Sequence, residues 1–152
     1  MRMFPLVIGY GNPLRGDDGV AWRVIEALDD DSWPGLKTIA THQLVPELAE
    51  PISEAGLVVF VDATMGETPG EVKVFTLEAA PPRRGSHQTT PEGLMTLAAE
   101  LFDRRPAAFM VTISGESFEL SEVLSLPVGL AIPRAVREII TLIQEKTAGP
   151  AE

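Results

Sequence analysis

The chain of 152 residues contains no cysteine. This absence excludes disulfide bonds, thiolate zinc sites, iron–sulfur clusters and catalysis by a cysteine nucleophile. Histidine is also scarce, because only His42 and His87 occur. Any histidine chemistry in this chain must therefore use one or both of these two residues.

Basic residues are few, with 12 lysines and arginines against 22 aspartates and glutamates, a net charge of −10 and a pI near 4.6. Such a chain has little positive charge with which to displace counterions from a polyanion, so we expect neither nucleic acid nor an anionic membrane surface as partner. No apolar run reaches the roughly 18–20 residues that span a bilayer. Residues 1–3 lead directly into an apolar run and do not resemble a signal peptide. We therefore expect a cytoplasmic protein.

The length of the chain corresponds to one domain, at roughly 100–200 residues per domain. Apolar residues make up 45% and charged residues 22% of the sequence, and the mean hydropathy is +0.12. This composition is typical of a globular protein with a core. We expect a single domain over residues 1–152 and a monomer.

Apolar runs and helical patterns alternate along the chain. Short apolar or alternating runs predict strands at 4–10, 36–41, 57–61, 71–77 and 107–113. Apolar residues at helical spacing predict helices at 20–28, 46–53, 91–102 and 133–146. Because at least two strands are apolar on both faces, we predict a three-layer αβα sandwich with a mainly parallel, twisted sheet of about five strands.

Three side chains capable of chemistry fall near strand ends. Asp18 lies in the loop after the first strand, Asp62 follows the strand at 57–61, and His87 lies in the polar loop before the helix at 91–102. Ligands of parallel sheets bind beyond the carboxyl ends of the strands, where these two carboxylates would meet. Two carboxylates and one imidazole suit a divalent first-row metal such as nickel or zinc. The alternative is that the aspartates cap a helix and end a strand, and that His87 is a solvated loop residue.

The loop that begins at Gly9 and Gly11 also permits a nucleotide-binding interpretation. The third glycine of the dinucleotide motif would fall at Leu14, and Asp17 and Asp18 place negative charge where a pyrophosphate would bind. The P-loop, zincin and nucleophile-elbow motifs are absent from the sequence. A non-catalytic, Rossmann-like nucleotide-binding or scaffold module remains the alternative from another class. A metallopeptidase with its own resident metal is a third possibility.

Residues 9–20 (GYGNPLRGDDGV) resemble the N-terminal signature of the hydrogenase maturation endopeptidases, which process the large subunit of nickel–iron hydrogenases. Further matches follow in the same order at 61–63 (VDA), 86–88 (SHQ) and 115–117 (GES), so the resemblance covers nearly the whole chain. Residues 42–48 (HQLVPEL) resemble the subgroup serving bidirectional, NAD-reducing-type hydrogenases. Ala21 stands where many relatives have glycine, a difference that removes no proposed ligand.

The resemblance implies a hydrolase that removes a C-terminal extension from the nickel-loaded precursor of a hydrogenase large subunit. It assigns recognition of that nickel to Asp18, Asp62 and His87, the residues already singled out at the strand ends, and these three are our catalytic and metal-binding candidates. The nickel would arrive with the precursor and would not be tightly bound by the free protein.

The sequence shows no activated nucleophile, so it leaves the chemical step open. Nickel held jointly by the precursor and by this chain can polarise the scissile carbonyl or a water molecule, with one carboxylate as general base. Alternatively, nickel serves only for recognition and a separate aspartate performs catalysis. Asp17 is a candidate to support Asp18, and His42 is expected to pack beside the site or to meet the substrate.

Overall fold

The computed structural model describes residues 3–30, 33–78 and 89–147. Five strands form one sheet in the order β2-β1-β3-β5-β4. The neighbours among β1, β2, β3 and β5 are parallel, whereas β4 is antiparallel to β5 at one edge. The strands are β1 (Phe4–Tyr10), β2 (Lys37–Thr41), β3 (Ala55–Met65), β4 (Val72–Leu77) and β5 (Ala107–Gly115). The predicted five-stranded, mainly parallel sheet with an edge strand at 71–77 is confirmed.

Among the described residues, four α-helices cover the two faces of this sheet. They are α1 (Val20–Asp30), α2 (Ala49–Glu54), α3 (Pro91–Phe102) and α4 (Leu126–Thr147), with 3-10 turns at Gly16–Gly19 and Pro46–Leu48. Helices α1 and α4 pack on one face and α2 and α3 on the other. The predicted three-layer sandwich is therefore also confirmed.

The central strand β3 shows why both faces must be covered. Val59 and Val61 point toward α1 and α4, whereas Val58 and Phe60 point toward α2 and α3, and all four are fully buried. Side chains alternate between the two faces of a strand, so this continuous apolar run needs a helical layer on each side.

Two of the predicted boundaries that differ from the structure bear on the site or the helical layer. Strand β3 continues beyond residue 61 because Ala63–Met65 pair with Ile113–Gly115 of β5, so Asp62 lies within the strand. Helix α4 begins at Leu126 and not at Pro133, which lies inside the helix and is exposed. Burial of Val128 and Ala131 stabilises the extra turns, which outweighs the hydrogen bond that a proline cannot donate to the residue four positions earlier.

The helix predicted at 91–102 has the predicted bounds. Its first turn is capped by Thr90, whose Oγ1 accepts a 3.0 Å hydrogen bond from the amide of Gly93. Within the described parts of the chain, no helix combines the length and hydropathy that crossing a membrane requires.

Candidate active-site cleft

A cleft of about 500 Å³ opens at the carboxyl edge of the sheet, where the pairing of β1 with β3 ends. Both candidate carboxylates, those of Asp18 and Asp62, line it. The remaining walls are formed by the loop after β1, the segment after β2 and the residue before the α3 cap; the lining residues are Tyr10, Gly11, His42, Gln43, Leu44, Val45, Pro46 and Thr89. The structure therefore brings two of the three residues proposed from the sequence to one site.

Asp18 is held by the loop that follows β1. Its Oδ2 accepts a 2.7 Å hydrogen bond from the amide of Asn12. Gly11 has a φ of +145°, and a Cβ there would lie 2.1 Å from the carbonyl oxygen of Asp18. Only glycine fits this close approach, so the Gly-Asn pair of the sequence motif holds the carboxylate of Asp18 at the cleft.

Asp62 lies one residue beyond the last pair of β1 with β3, Gly9 with Val61. The hydroxyl of Tyr10 lies close to the Asp62 carboxylate and faces it as a donor. Burial and the negative charge of Asp18 together raise the pKa of Asp62 to about 7, although the Tyr10 hydroxyl and the amide of Ala63 act in the opposite direction. At neutral pH, Asp62 can therefore either hold or release a proton.

The pKa of Tyr10 is also raised, mainly because the phenol is buried and also because Asp62 is close. Its hydroxyl thus remains protonated and acts as a donor toward Asp62. Tyr10 was not among the site residues predicted from the sequence. Strand alternation provided a signal, because Tyr10 extends the series of Leu6 and Ile8 on the face that Phe60 and Asp62 share.

His42 lines the cleft from the segment after β2 and is exposed. Its ring packs edge-on against Trp22, with 5.6 Å between the ring centroids and 87° between the planes. Trp22 in turn donates a 2.9 Å hydrogen bond from Nε1 to the carbonyl oxygen of Gly11. His42 thus packs beside the site, and no described contact joins it to either carboxylate.

Asp17 is fully buried. Its carboxylate is hydrogen-bonded to the loop before α4 and makes no hydrogen bond with Asp18. Its oxygens accept hydrogen bonds of 2.7–3.0 Å from the amides of Glu116, Ser117 and Ser125 and from the hydroxyl of Ser125. Burial alone would raise the pKa of Asp17, but these four donors lower it. The Gly-Glu-Ser motif therefore holds Asp17, and Asp17 fixes the start of α4.

The backbone amides of the loop after β1 are all used within the protein, apart from Pro13, which has none. The amide of Gly11 donates to Thr41, that of Asn12 to Asp18, and those of Leu14 and Arg15 to Asn12. The amide of Gly16 donates to Ser121, that of Asp17 to Ser117, and that of Asp18 to Arg15. Phosphate-binding loops point such amides at the ligand. This loop therefore does not favour the nucleotide-binding alternative.

His87 lies outside the described residues, whereas Thr89, two positions later in the sequence, lines the cleft. Within residues 3–30, 33–78 and 89–147, no three carboxylate or imidazole side chains lie close enough together to hold a metal ion. The assignment of Asp18, Asp62 and His87 as one metal-binding set stays a prediction.

No protein-family model matches the chain, and a search of curated proteins finds no match. Among solved structures, however, its fold is that of the hydrogenase maturation proteases. This similarity of fold agrees with the family resemblance seen in the sequence. The matched proteins are named endopeptidases or proteases, which are hydrolases.

Three of these structures illustrate the similarity. The hydrogenase maturating endopeptidase HybD from E. coli is 20% identical with a TM-score of 0.74, covering 95% of this chain and 94% of its own. The [NiFe] hydrogenase maturation protease HybD from Thermococcus kodakarensis is 20% identical with a TM-score of 0.73 and coverages of 92% and 99%. A hydrogenase 2 maturation peptidase from a Thaumarchaeota archaeon is 25% identical with a TM-score of 0.70 and coverages of 92% and 97%.

Proposed function

We propose that this protein is an endopeptidase that removes the C-terminal extension from the nickel-loaded large-subunit precursor of a nickel–iron hydrogenase. The observation that carries the proposal is the meeting of Asp18 and Asp62 in one cleft, on the fold of the hydrogenase maturation proteases. The motif that holds Asp18 in place, from Gly11 to Asp18, is the same stretch that carries the family resemblance in the sequence.

In this proposal the nickel belongs to the substrate. Asp18 and Asp62 provide anionic oxygen ligands to a cation presented by the precursor, and His87 provides a third ligand from the loop before α3. The hydroxyl of Tyr10, which lies close to the Asp62 carboxylate, helps to orient it in the cleft. The nickel supplies Lewis acidity toward the scissile carbonyl or a water molecule.

Asp62 also suits the role of general base. In the free protein its pKa is about 7, and the positive charge of the bound precursor's nickel would lower it and favour the carboxylate, the form that accepts a proton. Asp62 can accept a proton from the attacking water and return it to the leaving amine. We place the reaction in the cytoplasm. Because residues 42–48 resemble the subgroup that serves bidirectional, NAD-reducing-type hydrogenases, we propose that the large subunit processed belongs to a hydrogenase of that type.

The two histidines test this proposal because they differ in role. His87→Ala should abolish processing of the nickel-loaded precursor, since it removes a metal ligand. His42→Ala should only weaken processing, because His42 packs on Trp22 beside the cleft. The measurement is a gel shift of the purified precursor incubated with each variant.

Thermal unfolding provides the control, and both variants should unfold within about 1 kcal/mol of the wild type, as expected for loop substitutions and the loss of one aromatic contact. If folded His87→Ala trims the precursor at the wild-type rate, its assignment as a ligand is wrong.

A further inference from the structure

Four large apolar side chains are exposed on one stretch of the chain, from the loop before α4 into its first turns. Leu120, Val123, Leu126 and Leu130 are 70–75% exposed, and we call these four residues the apolar face. Leu126 and Leu130 are four residues apart and thus lie on the same side of α4. A concentration of exposed apolar side chains of this kind is typical of an interaction site.

The apolar face is attached directly to the loop that carries Asp18. Ser121 exchanges hydrogen bonds with that loop, donating to the carbonyl oxygen of Leu14 at 2.9 Å and accepting from the amide of Gly16 at 2.8 Å. Ser125, immediately before Leu126, is bound to Asp17 through its amide and its hydroxyl. Hydrogen bonds therefore join the segment that carries the apolar face to the loop whose Asp18 lines the cleft.

The cleft alone is too small to recognise a protein. Its volume of about 500 Å³ is that of a small-ligand site, roughly 300–1,000 Å³, so it can hold only a short segment of a polypeptide. Specific protein complexes bury roughly 800 Å² on each partner. A protein substrate therefore needs further contact surface near the cleft.

Charge indicates the kind of partner. Glu116, Glu119 and Glu122 are exposed among the residues that lead to α4, and residues 115–125 contain no lysine or arginine. The exposed basic residues that flank this segment are Arg15, which pairs with Ser121 through its backbone, and Arg134, four residues after Leu130, so the three glutamates outnumber them. In a symmetric contact between two copies, glutamates close to the two-fold axis would face their own copies.

We propose that the apolar face docks the folded body of the nickel-loaded precursor, through an apolar patch ringed by lysine or arginine. This inference rests on the proposed function and adds to it the surface that recognises the substrate. Apolar contact provides the affinity, and the glutamates favour a basic partner and speed its encounter.

The test compares steady-state cleavage of the nickel-loaded precursor by the wild type and by Leu126→Gln/Leu130→Gln. Glutamine keeps the helix propensity of leucine but makes the face polar. The expected result is a KM raised about tenfold or more with kcat within about twofold, as when binding common to ground and transition state is lost. The matched control is Leu101→Gln, at a side chain on α3 that is 63% exposed, which should leave both constants unchanged.

A second variant, Glu119→Gln/Glu122→Gln, tests the charge argument. Its kcat/KM should depend less steeply on salt concentration than that of the wild type. An unchanged KM in Leu126→Gln/Leu130→Gln, with a wild type that cleaves, would overturn the docking surface and leave the proposed function standing. A wild-type dimer in sedimentation that this variant dissociates would also overturn it, in favour of a second copy. A wild type that does not cleave would overturn both proposals.

Discussion

Asp62→Asn is expected to cut processing of the nickel-loaded precursor by at least about a hundredfold while making the folded protein more stable at pH 8. Asparagine keeps the shape and one carbonyl oxygen of aspartate but loses the charge and the basicity. The activity therefore falls because a metal ligand and general base are lost. Asp18→Asn, which removes the other anionic ligand, should reduce processing to a similar extent.

The gain in stability follows from the raised pKa of Asp62. The folded state holds this proton up to a pH of about 7, whereas an unfolded aspartate releases it near pH 3.9. Between these values the folded state binds more protons, so the contribution of Asp62 to the free energy of unfolding falls as the pH rises, and it stays unfavourable above pH 7. Three pH units set a ceiling of roughly 4 kcal/mol, and partial solvent screening reduces the expected gain to roughly 1–3 kcal/mol.

Urea unfolding of the wild type and Asp62→Asn between pH 4.5 and pH 8 measures this difference. The two proteins should approach each other at the acidic end, which serves as an internal control because pH 4.5 lies close to the unfolded pKa of about 3.9, so that little of the unfavourable contribution of Asp62 has yet accumulated. A stability difference that does not change with pH would show that folding does not raise the pKa of Asp62.

Asp17→Asn should lower the free energy of unfolding by roughly 3–5 kcal/mol, the cost of breaking a buried charged network. The Asp17 carboxylate accepts from four donors around Ser117 and Ser125. An asparagine must turn an NH₂ group toward some of these donors, which leaves buried N–H groups without an acceptor. The pKa of Asp17 is lowered on folding, so its contribution is present above the unfolded pKa and is lost as the pH falls through the lower folded value.

Chemical unfolding at pH 7 provides the measurement, and Asp30→Asn at the exposed end of α1 is the matched control, expected to change stability by less than about 0.5 kcal/mol. The folded fraction of Asp17→Asn should retain more processing activity than Asp18→Asn, because Asp17 does not line the cleft. A loss of stability below about 1 kcal/mol would contradict the role given to these hydrogen bonds.

The layers of the fold were predictable because the apolar pattern is strong where both faces of a strand are buried. The run at 57–61 and the helical spacing of α1 each have a single reasonable interpretation, and together they dictate a covered parallel sheet. The start of α4 was not predictable, since the proline at residue 133 is typical of a first turn. Burial of Val128 and Ala131 decided the outcome, and such tertiary packing cannot be seen in local sequence.

The candidate site was predictable to a similar degree. The meeting of Asp18 and Asp62 follows from the parallel pairing of β1 with β3, which ends at Gly9 and Val61. The position of the Asp17 carboxylate does not, because its partners lie about a hundred residues away in the sequence. The family resemblance suggested that Asp17 supports Asp18, whereas the long-range hydrogen bonds join it to the loop before α4.

The central claim is that nickel inside the precursor, held by Asp18 and Asp62, directs the cleavage. The most direct measurement incubates the purified precursor, nickel-loaded or nickel-free, with the wild-type protein and follows loss of the extension on a gel. The account predicts trimming of the loaded precursor alone, with no requirement for nickel bound to this protein beforehand. Efficient trimming of the nickel-free precursor would contradict it.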